Sequence, residues 1–152
     1  MTRRFLTKKS IVFLLTGFAL LLSTQTGSNA QQIDYQIIVH PSNPSTQISK
    51  SRVSQLLLKK VSRWEHGVSA SPVDLDSKSP VRERLSRDVH GRSVSSIKSY
   101  WQRQIFSGRE VPPPEYSNES QVIQFVSNNP GSIGYVSAGA RLDSVKSLSV
   151  SE

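Results

Sequence analysis

Asp74 and Asp76 are the closest pair of carboxylates in the chain. On a strand, whose period is two, they share one side, as an acid–base pair or a cation site would require. No histidine or third acid stands at ligand spacing beside them, so they read as solvated or capping groups, and no metal or cofactor is expected. The three histidines, His40, His66 and His90, each stand alone in a loop, and His90 sits before Gly91 at a helix end, where a cation is favoured. Ser95-Ser96-Ile97-Lys98 has the Ser-x-x-Lys spacing of a nucleophile and its base, but it falls on an amphipathic helix without the companion motifs of that chemistry. There is no Gly-x-Ser-x-Gly elbow. The absence of cysteine removes thiol catalysis, disulfides and most structural zinc patterns. The class expected is not an enzyme.

Anion binding suits the residues better. Asp76-Ser77-Lys78-Ser79-Pro80 joins a strand to a helix start, placing free backbone N–H groups beside two hydroxyls and a lysine, with Arg82 one turn in. Pro80 removes one donor, and ordinary capping by Ser79 uses the same groups.

The elements that position this corner follow from periodicity. Residues 33–39 read as a strand that ends in a β-branched run buried on both faces. Two prolines fix the loop His40-Pro41-Ser42-Asn43-Pro44-Ser45. Ser49 caps a helix over residues 50–60 with Val53, Leu56 and Leu57 inward. Trp64 sits in a loop, and residues 68–75 form a short strand. Ser79-Pro80 opens a helix with a Val81, Leu85, Val89 stripe, its arginines mostly off that stripe. Ser93 opens another, with Val94, Ile97, Trp101 and Ile105 as its apolar face. Pro112-Pro113-Pro114 is a stiff surface segment. Ser117 or Asn118 caps a helix over residues 119–128, and strands follow at 133–136 and 145–150. A central sheet flanked by helices makes this a one-lobed α/β fold.

The N-terminus reads as an export signal. Arg3, Arg4, Lys8 and Lys9 precede a dozen apolar residues at 11–22, too few to span a membrane, and Ser28-Asn29-Ala30 offers a cleavage site after Ala30. The expected organisation is a signal peptide at 1–30 and one domain at 31–152, with no membrane span after cleavage and a periplasmic location. Removing residues 1–30 takes four of the 19 basic residues and none of the 11 acidic ones, halving the net charge of +8. The remaining charges are mixed in sign, so no nucleic-acid partner is expected.

Three runs, in order, carry a family resemblance: Ser49-x-x-x-Val53-x-x-Leu56-Leu57-x-Lys59-x-x-x-Trp64-x-x-Gly67, Tyr100-Trp101-x-x-x-x-Phe106-x-Gly108, and Pro130-Gly131-x-Ile133-Gly134-Tyr135-Val136. Together they resemble the phosphate-type periplasmic substrate-binding proteins of ABC transporters. The resemblance implies a type II periplasmic-binding-protein-like fold, of which this chain would be a short, single-lobe relative. It also implies phosphate or another small oxyanion as ligand, held at strand ends and helix N-termini. The family's phosphate loop carries an arginine, an acid and Ser-Gly-Thr; here Asp76 matches the acid, Ser77 or Ser79 the hydroxyl, and Arg82 substitutes from the helix for an arginine absent from its place. The family's first strand is followed by a polar turn, matched here by the loop holding Ser42 and Asn43. The candidate ligand-binding residues are therefore Ser42, Asn43, Asp76, Ser77, Ser79 and Arg82.

The alternative is a cell-envelope interaction or accessory module that keeps the fold, has lost its ligand, and meets an envelope or membrane protein partner through Trp64 and the segment from Pro112 to Tyr116.

Overall fold

The computed structural model describes residues 34–152; the expected signal peptide and its cleavage after Ala30 lie outside the described residues. β1 (Tyr35–Val39) has Ile37, Ile38 and Val39 fully buried, as a continuous β-branched run with neighbours on both faces should. It pairs antiparallel with β6 (Ser132–Ser137) on one side and with β7 (Lys146–Ser151) on the other. β2 (Gln47–Ser49) adds parallel to β7, and β3 (Ser71–Pro72) adds parallel to β6, giving the order β2-β7-β1-β6-β3. β1 alone runs against the other four strands.

The expected strand at 68–75 is shorter and divided. After Val73 the chain leaves the large sheet, and β4 (Asp74–Leu75) pairs parallel with β5 (Glu115–Tyr116). The proline run, read from sequence as a surface segment, leads into β5: Pro113 is buried, and the Pro114 carbonyl accepts the Asp74 amide at 2.9 Å. β2 and β5 have no sequence signature, being two or three residues held by pairing rather than by an alternating pattern.

Among the described residues four helices flank the sheet, each with a side chain at its N-cap accepting the amide three residues on. Ser49 caps α1 (Lys50–Leu57), Ser79 caps α2 (Pro80–Val89), Ser93 caps α3 (Val94–Phe106) and Asn118 caps α4 (Glu119–Asn128). α1 stops short of the expected residue 60 because Lys59 turns left-handed, at φ 50°. α4 lies close on β6: a Cβ at Gly134 would stand 2.8 Å from Val73 and 2.9 Å from Val122, so only glycine allows this approach.

α2 crosses the strands near the end where β3, β6 and β7 finish. Its partners follow the strand order: Arg82 reaches the Leu75 carbonyl, Arg84 lies near Asp34 before β1, and Asp88 meets Tyr35 and Lys50. Lys50 in turn bonds Glu152, just past β7. The inward face of α2 holds Val81, Leu85 and Val89 as expected, but also Arg82, which is only 3% exposed. α3 departs from its expected face too. Ile97 and Trp101 are buried with Leu58 in a small cluster of their own, whereas Ile105 is 50% and Phe106 90% exposed.

Candidate functional site

The six candidate residues fall in three places. β1 runs antiparallel to β6, while the chain through β3 and β4 runs with it. The loop after β1 therefore lies past the start of β6, and the loop after β4 lies toward its finish. Ser42 and Asn43 are separated from Asp76, Ser77 and Ser79 by the length of β6, roughly 15 Å at ~3.3 Å per residue, and the structure does not bring them together. The sequence shows where strands end but not their relative direction, so the two loops looked alike. In its own loop, Ser42 directs its amide and hydroxyl at Nδ1 of His40, at 3.1 and 2.7 Å. Asn43 is buried, its Oδ1 accepting the Ser45 amide at 2.9 Å and its carbonyl accepting Lys146 Nζ at 3.0 Å.

Asp76 and Ser79 line a cleft of about 510 Å³ between the starts of α2 and α4. Asp76 Oδ1 accepts the Lys78 amide at 2.8 Å, and the Asp76 carbonyl accepts the Ser79 amide at 2.9 Å, a turn that sets the α2 cap. Ser79 Oγ then accepts the Arg82 amide at 3.3 Å. Across the cleft, Asn118 Oδ1 accepts the Gln121 amide at 3.0 Å, and Ser117 donates its hydroxyl to Gln121 Oε1 at 3.0 Å. The β4–β5 pair joins the two caps and holds both helix starts at one end of the fold. α4 leaves first-turn amides outside its own ladder and α2 leaves that of Val81, Pro80 having no N–H and Arg82 being capped, and the partial positive charge of each macrodipole falls here. Lys78 adds a full charge at the rim, while the Glu119 carboxylate is engaged by the Ser137 hydroxyl at 2.7 Å. Sequence reading located the α2 half; Ser117 and Asn118 were legible only as a helix cap, because nothing local says that the two caps face each other.

Ser77 is exposed and looks the other way, onto a cavity of about 240 Å³ that it shares with Arg82, Lys98 and Trp101. The Arg82 guanidinium is engaged internally. Nη2 pairs with Asp74 Oδ2 at 2.9 Å, and Nη1 with Glu115 Oε1 at 2.8 Å and the Leu75 carbonyl at 2.5 Å. The Tyr135 hydroxyl donates to Asp74 from the opposite side. Burial pushes the Asp74 carboxyl up, opposed by the Arg82 charge and the Tyr135 hydrogen bond, and burial with Asp74 nearby pushes Tyr135 well above its usual range. Asp74 and Asp76, expected on one side of a strand, thus part company: one is buried in this cluster, the other closes a turn at the cleft.

Trp64 is buried at 5% exposure, its indole N–H donating to the Gly131 carbonyl at 2.8 Å, and Tyr116 is half-buried against Phe125. Trp64 covers the core rather than offering a surface to a partner. Among the described residues the exposed large apolar side chains are Val68, in the loop after Trp64, and Ile105, Phe106 and Val111, at the end of α3 and in the loop after it.

No protein-family model matches the chain, and no curated protein matches it at a significant level. Its fold matches solved structures. One is assigned as a phosphate ABC transporter substrate-binding protein of Clostridium perfringens, with bound phosphate (TM-score 0.63, 18% identity, 78% of this chain and 45% of that one). Another is an ABC-type phosphate transport receptor of Vibrio cholerae (0.61, 16%, 78% and 46%). A third is PstS of Borrelia burgdorferi (0.56, 21%, 79% and 48%). The chain spans less than half of each of these chains, and at these identities the likeness is one of fold: a lobe of the periplasmic-binding-protein type. Among the described residues no helix is long and apolar enough to cross a membrane.

Proposed function

We propose that this protein is an exported, non-enzymatic binding module of the periplasm, with residues 1–30 as its signal peptide and 31–152 as the working domain. It takes phosphate or a related oxyanion in the cleft between α2 and α4. The observation that carries this is the convergence of two capped helix starts on one cleft. The amides of Val81 and of the first turn of α4, the hydroxyl of Ser79 and the ammonium of Lys78 supply donors and positive potential. Asp76 supplies an acceptor for the proton of a monoprotonated phosphate and would disfavour sulfate, which has none. Arg82 contributes by pinning the end of β4 rather than by touching the ligand. The likeness of fold to phosphate-binding proteins supports the same reading.

The test is thermal unfolding and calorimetric titration with phosphate and sulfate at fixed ionic strength. Phosphate at 100 times its dissociation constant adds about 2.7 kcal/mol of stability. Binding should weaken in Ser79→Ala with Asn118→Ala and persist in Ser42→Ala. Absence of any ion-specific shift would remove the oxyanion reading.

A second reading, an envelope interaction or accessory module, is favoured by the cluster of Ile105, Phe106 and Val111, at 50%, 90% and 58% exposure. Capture of an envelope or membrane protein that is lost in Phe106→Ser and kept in Trp64→Phe would support it.

A further inference from the structure

β2 is the terminal strand of the large sheet, and its outer edge borders a cavity of about 330 Å³, near the lower end of the size range of small-ligand pockets. The parallel register fixes which groups face outward. Thr46 accepts the Ser149 amide at 3.1 Å and Gln47 stands opposite Ser149, so the N–H and C=O of Ile48 both face β7. The N–H and C=O of Gln47 and the N–H of Ser49 are left on the open edge, where both residues line the cavity.

The other walls carry charge and an aromatic plane. Arg52, in the first turn of α1, donates from Nη2 to the Arg63 carbonyl at 2.8 Å, while its Nε is buried without a partner. Glu65 lines the same space. Among the described residues neither Arg52 nor Glu65 takes part in an ion pair, with each other or with a third group. Trp64, held by Gly131 and stacked on His66 with centroids 5.9 Å apart, lines the same cavity as a fixed wall.

We infer that this cavity binds a short zwitterionic peptide of two or three residues, distinct from the oxyanion cleft. The peptide backbone pairs with the open edge at Gln47 and Ser49, its terminal carboxylate meets Arg52 and its terminal ammonium meets Glu65. A bare anion would leave the edge and Glu65 unused, and a capped peptide would leave one of the two charges without a partner.

The test uses the full chain with dialanine and trialanine, and with their N-acetylated and C-amidated forms. Calorimetry should show saturable binding of the free peptides, and amide NMR shifts should centre on Gln47 and Ser49. Arg52→Gln and C-amidation should each weaken binding at least tenfold and, combined, no further than either alone; Glu65→Gln and N-acetylation should behave in the same way. Gln47→Pro, tolerated on an edge strand, should abolish the pairing and leave the melting temperature near that of the parent. The inference is overturned by an absence of saturable binding, by binding indifferent to Arg52 and Glu65, by inorganic phosphate producing the same shifts, or by concentration-dependent self-association through this edge.

Discussion

Arg82 Nη2 and Asp74 Oδ2 meet at 2.9 Å beneath α2, where the arginine side chain is only 3% exposed. The pair ties the third residue of α2 to the first of β4, and Glu115 extends the tie to β5. Removing the arginine leaves a buried carboxylate uncompensated. Arg82→Ala is expected to destabilise the fold by about 3–5 kcal/mol in denaturant unfolding, and Arg82→Lys, lacking the fork that reaches both acids and the Leu75 carbonyl, to recover only part of that.

Ser79 and Ser42 separate the two loops that look alike in the sequence. Ser79→Ala removes the α2 cap, at about 1 kcal/mol of stability, and should weaken phosphate binding. Ser42→Ala should leave phosphate affinity unchanged, since its hydroxyl faces His40 at the far end of β6. Equal losses of affinity in both variants would place the ligand elsewhere.

His90 should give the fold an acid sensitivity. Burial, reinforced by the charges of Arg82, Lys60 and Arg92, lowers its pKa to about 4, and Ser54 Oγ lies 2.9 Å from its Nδ1. The folded form therefore excludes a proton that the unfolded chain takes up below about 6.5. Stability from this residue is complete above that pH and falls as pH drops from about 6.5 to 4, by about 3 kcal/mol over the whole interval. In His90→Gln, unfolding measured across that range should show a correspondingly flatter pH dependence.

Gly134→Ala should cost about 1–3 kcal/mol by forcing α4 and Val73 away from β6. Chemical denaturation checks this; a neutral result would mean that the helix stands further off the sheet.

Much of the architecture was legible because it is local. Serine before a periodic run marked α1, α2 and α3, and the β-branched run marked β1. What was hidden depends on partners distant in sequence. Arg82 reads as a surface cation on α2 until Asp74 and Glu115 are placed beneath it. Ser42 and Asp76 each follow a strand, and only the antiparallel pairing of β1 with β6 sets them at opposite ends. Trp64 in a Gly-containing loop reads either as cover for the core or as a surface for a partner, because the carbonyl that anchors it, at Gly131, lies 67 residues away.

The order of strands in space also dictates an order in time. β7, the last element in sequence, lies between β2 and β1, so β2 has no strand to pair with until residues 146–151 have been made. A nascent chain can assemble the β1–β6 pair with α4, α2 and α1 while β2 waits unpaired, and the sheet closes only when β7 is inserted. Ribosome-stalled chains lengthened stepwise through this region should gain protease resistance around residues 47–49 abruptly, and only after Ser151 has emerged.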